Sequence, residues 1–252
     1  MKLSRNANVL RLVVLAAPLA CLGADGNGCR YTTPGDRAGF ISPDRPEITQ
    51  GFSSKPAAQF PAYVAAVRVQ SSGYRGFGLN PAEVHGTGRY SVMLVRDVER
   101  PEDIQRMQSM PQVAGLISLS RLLLPTQLDS IAVLRSAAAQ LKADTLLIYT
   151  FDTVFVNTDT SKAVTELSLG LAPTIELRLA STASALLVGV RTGFVYGAVD
   201  GSASQEFLTN AWANARAADL ARRDVEARAF STMVTQLEQF WPTMLSQLQA
   251  GR

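Results

Sequence analysis

Thr145-Leu-Leu-Ile-Tyr-Thr-Phe-Asp-Thr-Val-Phe-Val-Asn157 is the stretch that decides the fold. Its first half is almost entirely apolar, which is typical of a central strand that is buried on both faces. In its second half, one set of side chains (Phe151, Thr153 and Phe155) alternates with a second set (Asp152, Val154 and Val156). The two sets would therefore point to opposite faces of a sheet. The sequence therefore predicts a long strand at the middle of a sheet.

Strands and helices are predicted to alternate on the N-terminal side of this stretch. Pro101 stands at a plausible first helical position, and acidic residues follow in the first turn, where they favour the helix dipole. Thr126-Gln-Leu-Asp129 resembles a capping box, and apolar residues then recur at steps of three and four as far as Leu141. The predicted elements are strands over 62–69, 90–97 and 113–119, and helices over 101–110 and 128–141.

An antiparallel meander and a long helix are predicted on the C-terminal side. Strands over about 163–171 and 174–190 are followed by a turn at 191–193, a strand over 194–200 and helix from about Ser204. Pro242 should kink this helix or start a new turn. One apolar stripe at helical spacing should face the core: Phe230, Met233, Leu237, Trp241, Met244 and Leu248. The predicted fold class is α/β: a mixed sheet with an antiparallel C-terminal meander, flanked by helices, with a long C-terminal helix.

The first residues have the pattern of a secretory signal. A basic start over 1–5 precedes an apolar run over 12–20 and then Cys21. The run is about ten residues long, whereas a membrane-spanning helix needs about 20. A cysteine at the cut predicts a lipoprotein signal with Cys21 as the acylated first residue, although Pro18 occupies a position where Leu is usual. The alternatives are an ordinary signal-peptidase cut near Gly23 or Ala24, and acylation of Cys29 instead of Cys21.

The signal also accounts for the basic charge of the chain. Lys+Arg is 24 and Asp+Glu is 21, and residues 1–20 hold three basic residues and no acidic one. The mature chain is therefore formally neutral, which argues against a nucleic-acid partner, since such proteins carry a standing basic excess. The predicted organisation is a signal peptide over 1–20, a flexible tether over 21–60 that is rich in Gly, Pro, Ser and Thr, and a single α/β domain over 61–252.

Residues that could carry chemistry do not form a recognisable set. His85 is the only histidine and is predicted in a loop, and no nucleophile elbow occurs. The glycines between Gly73 and Gly78 are not followed by Lys-Ser/Thr, so a phosphate loop is not indicated. Four carboxylates could act as acid–base partners, but their positions suit caps, turns and a strand: Asp129, Asp144, Asp152 and Asp159. We expect no catalytic residue, no cofactor and no metal.

Three stretches together resemble known envelope lipoproteins. Ala138–Thr150 is a helix that runs into a buried strand, Ser181–Gly197 joins two strands through a Thr-Gly turn, and a charged and then apolar helix ends the chain. This pattern resembles the periplasmic lipoproteins of the CsgG and LpoB type and the N-terminal domain of TolB. The resemblance implies a mixed sheet flanked by helices.

A closer likeness is to the rhombotarget lipoproteins. It is carried by Arg89-Tyr-Ser-Val92, Leu122-Leu-Leu-Pro125 and Tyr149-Thr-Phe-Asp152. The group's name implies a C-terminal sorting tail, whereas this sequence ends Leu248-Gln-Ala-Gly-Arg252. The resemblance implies no enzyme activity and no cofactor.

These observations predict a non-catalytic binding or assembly module. A lipid such as palmitate on Cys21 would anchor it in a bacterial membrane, by expectation the outer one, facing the periplasm, with an envelope protein as partner. The alternatives are a component of a secretion or envelope-maintenance oligomer, and a hydrolase with an unrecognised site near His85 or Asp152. Those alternatives would be favoured by a ring-sized assembly and by a polar cleft, respectively.

Overall fold

The fold is the mixed α/β arrangement that the sequence predicts. A computed structural model describes residues 30–32, 53–72, 83–158, 174–210 and 215–250. We number its elements in chain order as β1 (Arg30–Thr32), β2 (Ala62–Ser71), β3 (Val84–His85), β4 (Thr87–Gly88), β5 (Tyr90–Met93), α1 (Pro101–Gln108), β6 (Val113–Ser118), β7 (Gln127–Leu128), α2 (Ile131–Gln140), β8 (Thr145–Thr158), β9 (Thr174–Gly189), β10 (Val195–Asn210) and α3 (Ala215–Ala250).

The centre of the sheet is parallel. β2 pairs in parallel with β6 on one side and with β8 on the other, while β5 pairs antiparallel with the second half of β2. Parallel neighbours need crossover connections, and α1 and α2 supply them on opposite faces. One core lies under α1 and α3, and a second core lies under α2. β2 and the first half of β8 are buried on both faces, as their continuous apolar runs predict.

Three strands of the predicted antiparallel meander are confirmed as β8, β9 and β10, and β10 is longer than predicted. The strand predicted over about 163–171 lies outside the described residues. β8 pairs with β9 from Thr145↔Gly189 to Thr158↔Glu176, and β9 pairs with β10 as far as Asn210. Gly193, at φ +72°, lies in the predicted turn between β9 and β10. The prediction of helix from Ser204 is wrong, because Ser204 to Asn210 continue β10. Ser204 and Glu206 are exposed and Gln205 is half-buried, as on a strand with one solvated face, and local composition does not distinguish such a strand from a helix start.

α3 packs along this meander with the predicted stripe. Phe230, Met233, Leu237, Trp241 and Met244 are buried, and Leu248 is half-buried against them. Close approach depends on Gly201 of β10, because a Cβ built there would lie 2.1 Å from the backbone nitrogen of Met233. Pro242 lies inside α3, and the helix continues through it to Ala250.

Two local predictions are wrong. Leu128 belongs to β7, which pairs with Gly88, and α2 starts only at Ile131. Asp129 does not close a capping box, because its carboxylate accepts a hydrogen bond from the Gln127 side chain. The predicted strand over 90–97 ends at Met93, since the chain then turns into an irregular segment that carries buried charges.

Parts of the expected tether belong to the folded body. Arg30–Thr32 forms β1 and pairs antiparallel with residues 154–156 of β8. Ala58 is buried and its backbone N–H donates to the Tyr196 hydroxyl, while the Phe60 ring packs edge-on against Trp241 at 6.4 Å. A flexible tether over the whole of 21–60 therefore does not describe residues 30–32 and 53–60.

Candidate functional site: a buried charge network beneath α3

Seven charged side chains meet between the sheet and the start of α3. They come from β2, from the segment after β5 and from the first turns of α3; we call them the charge network: Arg68, Asp97, Glu99, Asp219, Arg222, Arg223 and Glu226. Arg222, Glu226 and Phe230 are spaced by four residues, so the network continues the apolar stripe of α3 on the same helix face. Regular elements, β2 on one side and α3 on the other, thus hold most of the side chains of the network in place.

Arg68 is the centre of the network. It is only 3% exposed, and its guanidinium donates to Asp97 Oδ1 at 2.8 Å and to Glu226 Oε2 at 3.5 Å. Glu99 Oε1 lies 3.9 Å away. The guanidinium also lies 4.7 Å from the centroid of the Phe151 ring, a cation–π arrangement. β2 therefore presents one cation that contacts both the irregular segment and α3.

α3 contributes the second cation and two carboxylates. Arg222 donates to Asp219 Oδ1 at 2.8 Å and to Glu226, one helical turn on either side of it. Arg222 and Arg223 each also approach Asp97 Oδ2 at 3.5 Å. Asp97 therefore faces three guanidinium groups from two elements.

Hydroxyl groups satisfy the remaining carboxylate oxygens. The Thr153 hydroxyl of β8 donates to Glu226 Oε1 at 2.8 Å and lies 3.0 Å from the Ser181 hydroxyl of β9. The Tyr149 hydroxyl donates to Glu99 Oε1 at 2.9 Å. Buried polar groups need such partners, since an unpaired one costs about 1–3 kcal/mol. The network thus joins β2, β8, β9 and α3.

The pKa values of the Asp97 and Glu226 carboxyl groups are shifted in opposite directions. Burial alone would raise the pKa of Asp97, but Arg68 and the two arginines of α3 outweigh it, so that pKa is lowered from its usual value. Burial raises the pKa of Glu226, and the positive charges of Arg68 and Arg222 offset it only in part. Burial beside Glu99 also raises the pKa of the Tyr149 hydroxyl well above its usual value. Folding therefore favours the ionised form of Asp97 and the protonated form of Glu226 relative to the unfolded chain.

The arrangement acts as a structural clamp on α3. Most of its side chains are buried and turned toward one another, as expected of ions that compensate the loss of water. Truncating one member would leave the others with buried, uncompensated charge. The network therefore fixes where the start of α3 sits on the meander.

A separate open groove lies between α1 and α3. It has a volume of about 550 Å³, and we call it the α1–α3 groove; its lining residues are Glu102, Gln105, Arg106, Ser109, Met110, Pro111 and Glu238. Arg106 holds the two helices together, because its guanidinium donates to both oxygens of Glu238 at 3.1 and 2.6 Å and to the Thr235 hydroxyl at 2.8 Å. The groove is open to solvent and lined mainly by polar and charged side chains, as is the rim of a protein–protein interface.

The residues that the sequence singled out do not converge. Cys21 and Asp159 lie outside the described residues. His85 lies on β3, and its Nε2 is 3.2 Å from the Leu124 and Pro125 carbonyl oxygens. Asp152 is on β8, and β8 is separated from β3 by three inter-strand spacings in the sheet, or about 14 Å measured across the strands.

The other two carboxylates have local partners. Asp129 accepts from Gln127, and Asp144 accepts from the Tyr63 backbone N–H. None of these residues lines the α1–α3 groove. Within the described ranges, no group of three potential metal ligands is found.

The sequence did contain a signal for the charge network. Arg68 interrupts an otherwise apolar strand, and Arg222 and Glu226 fall on the same helical spacing as Phe230. A charge in a buried strand needs a partner from another element. What the sequence does not give is the irregular segment after β5, which brings Asp97 and Glu99 to the same place.

Comparisons with known proteins add little to this geometry. No protein-family model matches the chain, and no curated protein matches it. One solved structure with a partial likeness is a "putative lipoprotein" from Caulobacter crescentus CB15; it is 16% identical, with 44% of this chain and 70% of that chain covered and a TM-score of 0.23. That likeness is too low to assign an activity. In the described part of the chain, no helix has the length and apolar character that a membrane crossing requires.

Proposed function

We propose that this protein is a lipid-anchored envelope lipoprotein that acts as a non-catalytic binding or assembly module facing the periplasm. The observation that carries the proposal is Cys21, which directly follows a short apolar run with a basic start. An outer-membrane position and an envelope protein partner are part of the same proposal. The rhombotarget-type likeness is consistent with it.

The charge network supports a non-catalytic role. Its carboxylates and guanidinium groups are used to hold α3 on the sheet, and Glu226, whose pKa is raised by burial, is only 1% exposed. A catalytic carboxylate would have to reach a substrate. The α1–α3 groove provides the exposed, mixed-charge surface that a protein partner would contact.

The anchor is tested by fractionation of cells. Cys21→Ser should move the protein from the membrane fraction to the soluble periplasmic fraction, whereas the matched variant Cys29→Ser should leave it in the membrane. Unchanged fractionation of Cys21→Ser would remove the basis of the proposal. If Cys29→Ser releases the protein and Cys21→Ser does not, the lipid is on Cys29.

The binding role is tested at the α1–α3 groove. A photo-crosslinking amino acid at Gln105, on the groove, should give a discrete envelope adduct in intact cells, and the same group at the exposed Ser136 of α2, on the opposite face of the sheet, should not. Equal adducts at both positions would argue against a specific partner at the groove.

An oligomeric role is the second candidate, and β10 is the observation that favours it. Within the described residues this 16-residue strand pairs only with β9, so it presents a long sheet edge. Such edges can pair with another chain. Light scattering on the purified protein should show a discrete oligomer if β10 is used in this way, and a monomer would dismiss this candidate.

A further inference from the structure

The pairing of β1 limits how far the body can stand from a lipid on Cys21. Arg30 pairs with Val156 and Thr32 with Val154, so β1 runs opposite to β8. The N-terminal residue of β1, Arg30, is therefore the one nearer to the C-terminal end of β8 and farther from Thr145. Only about nine residues separate position 21 from position 30, and an extended chain spans at most about 3.3–3.6 Å per residue, or about 31 Å in total.

The body is longer than this connection. From Val156 back to Thr145, β8 covers about eleven residues, which at about 3.3 Å each is about 36 Å. We call the two ends the Val156 end, where β8 and β10 finish and β9 and α3 begin, and the Thr145 end, where β2, β6 and β8 begin. If the Thr145 end rested on the membrane with the strands upright, Arg30 would lie farther from the surface than its connection can reach.

We propose that the body stands on a phospholipid surface through its Val156 end, with the α1–α3 groove turned away from the membrane. The inference rests on the proposed lipid anchor. Arg30, Val156, Arg178 and Glu206 are register partners in one row across the sheet, so the exposed Arg178–Glu206 pair lies at the level of Arg30, where the connection to position 21 starts. Leu220, in the first turns of α3 at the same end, is 60% exposed and adds apolar surface there.

The α1–α3 groove lies toward the other end. The Trp241 indole donates to the Pro111 carbonyl oxygen, and Val113, just after Pro111, pairs with Ala62 at the start of β2. Arg30, from which the connection to position 21 starts, and the groove are thus at opposite ends of the sheet. A partner in the periplasm could then reach the groove without approaching the bilayer.

The test measures energy transfer from the protein to the membrane. The full lipidated chain with Cys29→Ser is reconstituted in phosphatidylethanolamine–phosphatidylglycerol vesicles that carry a headgroup acceptor dye. A donor dye is placed by Glu206→Cys at the Val156 end or by Arg191→Cys beyond the Thr145 end. Both side chains are exposed, so neither label needs a change in packing. Transfer should be several-fold stronger from position 206, and equal or reversed transfer overturns the orientation.

A second variant and a flotation control separate the possible failures. Inserting about thirty Gly/Ser residues between Asp25 and Gly26 lets the connection act as a flexible coil, so the difference between the two labels should largely disappear. A difference that survives the insertion overturns the argument from reach. Vesicle flotation is measured first: if the chain does not float, the anchor itself fails, and if it floats with equal transfer, only the orientation fails.

Discussion

Asp97→Asn is the substitution that tests the charge network most sharply. It replaces one carboxylate oxygen by an amide nitrogen without changing the shape of the side chain. The Oδ1 contact with Arg68 at 2.8 Å can survive as a bond to the amide oxygen. The amide nitrogen would then face Arg222 and Arg223, whose guanidinium nitrogens lie 3.5 Å from Oδ2 and are themselves donors.

The expected loss of stability is about 3 kcal/mol. Removing one partner of a buried ion pair costs about 3–5 kcal/mol, and the retained bond to Arg68 places this change at the low end. For a chain of this size, 1 kcal/mol corresponds to about 2–4 °C in Tm, so Tm should fall by about 6–12 °C. The lowered pKa of Asp97 agrees in sign, because it means that the ionised form favours the folded state.

The assay is urea unfolding at pH 7 of a chain that lacks residues 1–20 and carries Cys21→Ser. The matched control is Glu206→Gln in the exposed Arg178–Glu206 pair, which should cost at most about 1 kcal/mol. Glu226→Gln is the internal contrast and should cost clearly less than Asp97→Asn, because its charged form is already disfavoured by burial. If Asp97→Asn costs no more than the control, the clamp does not exist as described.

Three further outcomes are expected. The free energy of unfolding should rise as pH falls from 7 toward 4.5, the usual pKa of a glutamate, because the raised pKa of Glu226 makes the folded chain bind a proton before the unfolded chain does. The free energy of unfolding should then fall below pH 3.8, because the lowered pKa of Asp97 means that the unfolded chain binds that proton first. A profile that changes in one direction only would contradict this expectation. Gly201→Val should prevent α3 from docking and cost more than about 4 kcal/mol, read as loss of cooperative unfolding, while Gly201→Ala should give a smaller defect. Trp241→Phe should cost about 2 kcal/mol through the lost bond to the Pro111 carbonyl oxygen and a smaller ring, measured by urea unfolding; an unchanged midpoint would show that this contact is not needed.

The main elements of the fold follow from sequence patterns. Three local patterns predicted these elements: the apolar run from Thr145, the helix start at Pro101 and the apolar stripe of α3. Such patterns are visible in the sequence because buried side chains repeat with the period of the strand or helix that carries them. The end of β10 and the start of α2 were misplaced for a different reason. Ser204 to Asn210 and Leu128 are strand residues because they pair with β9 and Gly88, and pairing with distant residues has no local signature.

The candidate site was less predictable than the fold. The helical spacing of Arg222 and Glu226 and the position of Arg68 in an apolar strand mark them as charges that need partners. Their meeting with Asp97 depends on where β5 ends and on how the next segment crosses the sheet. The same holds for β1, since nothing in residues 30–32 indicates that they pair with β8.

Mass spectrometry of the mature N-terminal peptide decides whether Cys21 carries a lipid. We expect the chain isolated from membranes to begin at Cys21, with a mass increase that corresponds to a diacylglyceryl group and that is lost in Cys21→Ser. An unmodified mature chain that begins near Gly23 or Ala24 would contradict the anchor and the membrane orientation together.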